Sequence, residues 1–302
     1  MSRREEPWDH PPELSPADSE VLKTRPPGYS DQVAAVLARF CQLAHLPFEP
    51  ASATAAGGRE IPTDRGRDHL EERLKAGAFR LVTIFSKKTA QGFLAVREDH
   101  SAVLAFRGTE GLEELLHTDA NLRRVPLPGA SSVAVHCGFL EAFTRCRREI
   151  EAALAAAVPP TLALYIAGHS LGGALAQIAS AAFNRDNLVA CYTFGSPRVG
   201  TSDFAQQVKC RHYRVVNNWD LVPGVPFPSL RGYRHTGEAR LLIPGILEAL
   251  LWDRWNSGFL TDLKAVAIRS LKSRSFLITD DHMIWNYRKR LDEIVAAMGR
   301  AH

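Results

Sequence analysis

No C-x-x-C pair occurs among the five cysteines of the chain (Cys41, Cys137, Cys146, Cys191 and Cys210), and five is an odd number. The missing pair argues against a zinc site or a dithiol redox centre, and the odd count against a closed disulfide framework. Free buried thiols in a reducing compartment are the expectation. Cys210 lies between Lys209 and Arg211, neighbours that lower a thiol pKa, but nothing else marks it as a nucleophile. Also lacking is any stretch of 18 uncharged apolar residues, which excludes a membrane-spanning helix. The first residues hold early charge and several prolines but no apolar signal-peptide core. A cytoplasmic location is therefore the default expectation, with signal-less export as its alternative. Charge of one sign is scarce: a net +4 over 302 residues argues against nucleic acid as a partner and suits an anionic membrane surface only weakly.

What the chain does have is the balance of a globular protein, 45% hydrophobic and 23% charged, enough for a sheet covered on both faces. Residues 1–28 read as a flexible proline-rich tail and 29–302 as one domain, without internal repeats or a linker. After the tail, apolar residues at Val33, Val36, Leu37, Phe40 and Leu43 recur with a helical period. HLEERLKAGAF reads as a second helix, and FRLVTIFS, QGFLAVRED and SAVLAFRG as three successive strands. A long helix, GFLEAFTRCRREIEAALAAAV, stops at Pro159-Pro160. From Thr161 strands alternate with helices, the rhythm of an α/β protein with a mostly parallel sheet. Catalytic loops belong at the carboxyl ends of such strands.

Gly168-His169-Ser170-Leu171-Gly172 fits G-x-S-x-G, between the apolar strand TLALYIAG and an alanine-rich helix. The spacing has a physical reason. A serine held in a strained strand-to-helix turn exposes its Oγ above the sheet, and side chains at the glycine positions collide with neighbouring elements. The helix that follows aims its N-terminal dipole at a developing negative charge. Ser170 is thus the candidate nucleophile. His169 adjoins it, but successive residues of an extended segment face opposite ways, so His169 reads as a packing residue.

In this fold class the acid and then the base follow the serine along the chain. Asp220 lies where the strand-like CRHYRVVNNW meets LVPGVPFP, whose prolines stop a strand, and so at the catalytic edge. Of the later histidines, His302 is terminal and His212 precedes the acid, which leaves His235 and His282. His282 is favoured: it sits in a turn before the last helix, ITDDHMIWNYRKRL, where Asp280 and Asp281 look like caps. His235 reads as satisfying a backbone or core partner.

Six segments carry a resemblance: Ala105-Phe-Arg-Gly-Thr109, HTDANL around Asp119, Val135-His-Cys-Gly-Phe-Leu140, Gly168-His-Ser-Leu-Gly-Gly-Ala174, Phe194-Gly-Ser-Pro-Arg-Val-Gly200 and Asp220-Leu-Val-Pro223. In this order they resemble the class 3 lipases, the family of the filamentous-fungal triacylglycerol lipases. The resemblance implies an α/β-hydrolase fold, a Ser170–His282–Asp220 triad, and an oxyanion hole formed by Thr109 and the Leu171 N–H. Two such donors are each worth on the order of 3 kcal/mol to the transition state. Arg107 is expected to form a buried ion pair, with Asp119 as partner; Gly195, Pro197 and Arg198 are expected to shape the sheet edge.

The sequence departs from the family pattern in three places. After Thr109, EGLEELLHTDANL is acidic and lacks an aromatic anchor where the fungal enzymes carry their lid. The proline-rich tail stands where a secretion signal would. Between Leu241 and Phe276 an extra amphipathic stretch presents Leu247, Leu250, Leu251, Trp255 and Leu263, with Lys264, Arg269, Lys272 and Arg274 toward its end. It reads equally as a lipid-resting or site-roofing helix and as two ordinary packed helices. The expected reaction is two-step acyl transfer on a lipid-like carboxylic ester, without metal or organic cofactor. Phospholipase or short-chain carboxylesterase activity is the alternative, and a non-catalytic lipid-binding relative the remote one. A lipid or small ester is the expected partner, with peripheral membrane or lipid-droplet contact in view.

Overall fold

The computed structural model describes residues 12–46, 63–108, 123–217, 220–226, 232–242 and 280–300. The expectations for the acidic segment after Thr109, for Asp119, for Ile243–Phe276 and for His302 lie outside the described residues. Seven strands form one sheet in the order β1-β2-β3-β6-β7-β8-β9. Strands β1 (Arg80–Lys87), β2 (Ala90–Arg97) and β3 (Ser101–Phe106) are the three expected from the sequence. They pair antiparallel. From β3 onward the pairing is parallel, through β6 (Ala163–His169), β7 (Leu188–Phe194), β8 (Arg211–Asn217) and β9 (Glu238–Leu242). A mostly parallel sheet is what the alternating second half implied. A separate hairpin, β4 (Arg124–Leu127) with β5 (Ala130–His136), had no counterpart in the sequence reading.

The strands are apolar at nearly every position because both faces are covered. Along β3, Ala102, Leu104 and Phe106 join one buried cluster, while Val103 and Ala105 join the other. The first cluster packs under α4 (Cys137–Ala157) and α5 (Leu171–Phe183), through Phe139, Phe143, Ile150, Leu175 and Ile178. The second packs under α1 (Pro16–Lys23), α2 (Asp31–Leu43), α3 (Thr63–Ala76) and α6 (Ile284–Arg300), through Leu22, Phe40, Leu74, Tyr287 and Leu291. Among the described residues no helix is long and apolar enough to cross a membrane.

Two local expectations change, and the cysteines come out free as expected. Within 12–28, assigned to a flexible tail, Pro16–Lys23 is a helix. Ser15 and Asp18 close a capping box, and Leu22 is fully buried. The last helix starts at Ile284, so Asp281 does not cap it; its Oδ1 faces Arg290 Nη2 at 3.3 Å instead. All five cysteines are free, and four are buried. Burial pushes the Cys210 thiol up to about 11, the opposite of what its cationic neighbours in sequence suggest.

Candidate active site

β6 delivers Ser170 to the sheet edge in an unusual backbone conformation, φ 55° and ψ −124°. Non-glycine residues hold such angles only where their surroundings over-determine them. Here the surroundings are visible: Ser170 N–H donates to Phe194 O at 2.9 Å, and the helix that follows lies tight against β3. A Cβ on Gly172 would come within 2.5 Å of the carbonyl oxygens of both Phe106 and Arg107, so only glycine fits. Leu171 is the first residue of α5, and no side chain caps that end. Its N–H therefore belongs to the unsatisfied set at a helix N-terminus. Thr109, the other expected oxyanion donor, lies outside the described residues.

Asp220 follows the end of β8. Its backbone N–H returns to Asn217 O at 3.0 Å, and its Oδ1 accepts the Val222 N–H at 2.9 Å. The turn Val222–Gly224 then carries Pro223, which ends any extended run. His282 closes the short turn Asp280–His282 ahead of α6. Asn217 fastens that turn to β8 by donating from Nδ2 to Asp281 O at 2.8 Å.

These elements bring three side chains into line. His282 Nε2 lies 2.9 Å from Ser170 Oγ, and His282 Nδ1 lies 2.8 Å from Asp220 Oδ2 and 2.9 Å from Oδ1. Since the carboxylate only accepts, Nδ1 carries the proton and Nε2 faces the serine as an acceptor. Tyr287 completes the carboxylate's shell, donating its hydroxyl to Oδ2 at 2.5 Å. Burial first, and then the Asp220 charge, raise the Tyr287 phenol well above its ordinary range. Tyr287 was not anticipated. Its place in the first turn of the helix that follows His282 was the available signal. Ser170, Asp220 and His282 are each 2–3% exposed, and charge–dipole interactions in such a dry setting are stronger than in water.

The other histidines separate by their partners. His212 bridges Thr193 and Thr236 inside the sheet, at 3.1 and 2.8 Å, and burial takes it down to about 3. His235 Nε2 donates to Pro223 O at 2.8 Å. His169 does not bond Ser170 Oγ; its Nε2 lies 2.6 Å from the main-chain oxygen of His282. Arg107 reaches Gln91 Oε1 with Nη1 at 2.5 Å; Asp119, its expected partner, is outside the described residues. Arg198 is buried at the sheet edge, where Nη1 donates to the Gly224 and Pro226 carbonyls.

The chain is similar to known proteins over part of its length. The family model "Lipase (class 3)" matches residues 103–230. A "Secreted mono- and diacylglycerol lipase 1" of Fusarium solani is 33% identical over 195 residues, 62% of this chain and 58% of that protein. A "Lipase" of Rhizomucor miehei is 33% identical over 149 residues, 45% of this chain and 40% of that one. The chain thus spans about half the length of the relatives it matches. Among solved structures, lipase II from Rhizopus niveus superposes with a TM-score of 0.55 at 22% identity, covering 72% of this chain and 83% of that one. That likeness bears on the fold. The expected cytoplasmic location is overturned: the Fusarium relative is a secreted protein, and buried thiols need no reducing compartment to stay free.

Proposed function

We propose that the chain is a serine hydrolase of the class 3 lipase type, cleaving carboxylic esters of lipid-like substrates; the match of residues 103–230 to that family model and the similarity to the Fusarium lipase support this reading. One observation carries this reading. An unbroken hydrogen-bond chain runs from Ser170 Oγ through His282 to Asp220, with links of 2.9 and 2.8 Å. In the proposed reaction His282 Nε2 takes the Ser170 proton as Oγ attacks the ester carbonyl. Asp220 holds the imidazole in the required tautomer and stabilises its charged form. The oxyanion is held by the Leu171 N–H and by Thr109. The alcohol leaves with the proton returned by His282, and water deacylates the enzyme by the same route.

Partial glycerides are the first substrates to test, on the analogy of the Fusarium protein, which is named for them. An extracellular place of action and contact with a lipid surface belong to the same proposal. The experiment measures release from p-nitrophenyl esters from acetyl to palmitoyl and from mono- and diacylglycerols, with Ser170→Ala in parallel. Rates that climb with chain length and vanish in the variant are expected. Rates confined to short esters would make the protein a carboxylesterase. Equal rates in both proteins would refute Ser170 as nucleophile.

A further inference from the structure

Two imidazoles besides His282 stand at the site, His169 buried and His45 half-buried, and the acyl-transfer scheme uses neither. His169 and His282 have ring centroids 4.7 Å apart, and His45, just beyond the end of α2, follows at 5.7 Å from His169. His169 touches both sides of the catalytic edge. On one side its Nε2 is 2.6 Å from the carbonyl oxygen of His282. A carbonyl only accepts, so Nε2 carries the proton and Nδ1 is bare. On the other side lies the exit of β3, the segment that leads to Thr109. A Cβ added to Gly108 would sit 2.6 Å from His169 Nδ1 and 3.2 Å from Ser170 Cβ.

We propose that His169 is a positioning residue of this site, its imidazole holding the His282 main chain and the β3 exit at a fixed separation around Ser170. The inference rests on the reading of Ser170 and His282 as nucleophile and base. The separation matters because the base must meet Oγ while the oxyanion donors meet the carbonyl oxygen, and small displacements of either are costly. Holding the residue by its own carbonyl fixes the backbone from which the His282 ring projects. His169 suits this task because it stays neutral. Burial, then the charges of His282 and His45, hold it well below the usual histidine range. Burial does the same to His45, down to about 3, with Arg107 adding to it. Neither imidazole therefore adds a positive charge against the imidazolium that forms on His282.

The test compares His169→Leu, which removes the donor, with His169→Gln, which can return an N–H near the Nε2 position. Turnover of a p-nitrophenyl ester is normalised to sites titrated with a fluorophosphonate. In His169→Leu kcat should fall about ten- to hundredfold with KM little changed, and His169→Gln should recover most of it. Equal losses in both variants, or none, would overturn the proposal. Nitrogen-15 histidine spectra of the wild-type chain give a second readout that needs neither turnover nor a folded variant. His169 should be neutral with the proton on Nε2, and a proton on Nδ1 would overturn the proposal. Absence of Ser170-dependent hydrolysis would defeat the hydrolase reading and this proposal with it, whereas a proton on Nδ1 in a Ser170-dependent enzyme would overturn the proposal alone.

Discussion

The Tyr287 hydroxyl donates to Asp220 Oδ2 at 2.5 Å while accepting the Asn217 N–H at 3.0 Å. One side chain of α6 thus ties the carboxylate to the end of β8. Tyr287→Phe leaves the Asn217 N–H and part of the carboxylate without partners in a dry site, a loss of about 1–3 kcal/mol readable by urea unfolding. Ester hydrolysis should fall as well, by less than on removing Asp220. The variant should also lose part of its alkaline sensitivity. With the folded phenol raised above its unfolded value, its contribution is intact below about pH 10 and is lost as pH rises further. An unchanged alkaline limb would refute the buried donor.

Acid sensitivity should come from histidines buried in neutral form. His136 accepts the Phe139 N–H on Nδ1 at 3.4 Å, capping α4. Burial takes it down to about 4. Its folded value lies below its unfolded one, so its contribution is present above about pH 6.5 and lost as pH falls toward 4, by about 1.4 kcal/mol for each pH unit. His136→Asn keeps a good cap and removes the titration. Its stability should fall less steeply between pH 6.5 and 4 in parallel urea titrations. A slope equal to wild type would assign the acid limb to other groups.

Gly195 lies at the end of β7 with φ +58°, and a Cβ there would stand 2.5 Å from Asp220 Oδ2 and 3.0 Å from His282 Nδ1. Gly195→Ala therefore combines a left-handed backbone penalty of about 1 kcal/mol with a collision against the acid–base pair. The expected result is a folded protein by circular dichroism with kcat reduced by more than tenfold, on the order of a 1 Å misplacement. Wild-type kcat would mean that the pair shifts freely to make room.

The parts of this site that were legible in the sequence are those fixed by the backbone. The tight turn at Ser170 demands glycine where α5 meets β3, and that demand is written as G-x-S-x-G. Asp220 and His282 were legible through strand and helix ends: prolines after one, a final helix after the other. Tyr287 and the His169 contact were not, because each depends on where a side chain points across 67 and 113 positions of chain. His169 was read as a packing residue from strand alternation alone. Alternation correctly keeps it off Ser170 Oγ but says nothing of what its ring meets. The β4–β5 hairpin was missed because its strands are short and only partly buried.

Helix α1 was hidden for a related reason. Eight residues do not hold a helix in water, so proline content and charge read as a tail. Tertiary contacts decide otherwise. Leu22 is fully buried in the cluster beneath the sheet, and its carbonyl accepts the Tyr165 hydroxyl at 2.9 Å. Tyr165 belongs to β6, the strand that ends beside Ser170. Asp18 faces Arg39 of α2 at 3.5 Å, and Arg39 in turn reaches Asp292 of α6 at 2.6 Å. Leu22→Ala should then cost about 2–5 kcal/mol, and deletion of residues 1–28 should cost more, both measured by thermal and urea unfolding. Hydrolysis by the protein that remains folded should be little altered, because α1 supports the strand without touching Ser170, His282 or Asp220. Unchanged stability on deletion would return residues 1–28 to the status of a tail. A loss in both variants, larger for the deletion, would instead put α1 inside the domain, with its boundary before Leu14.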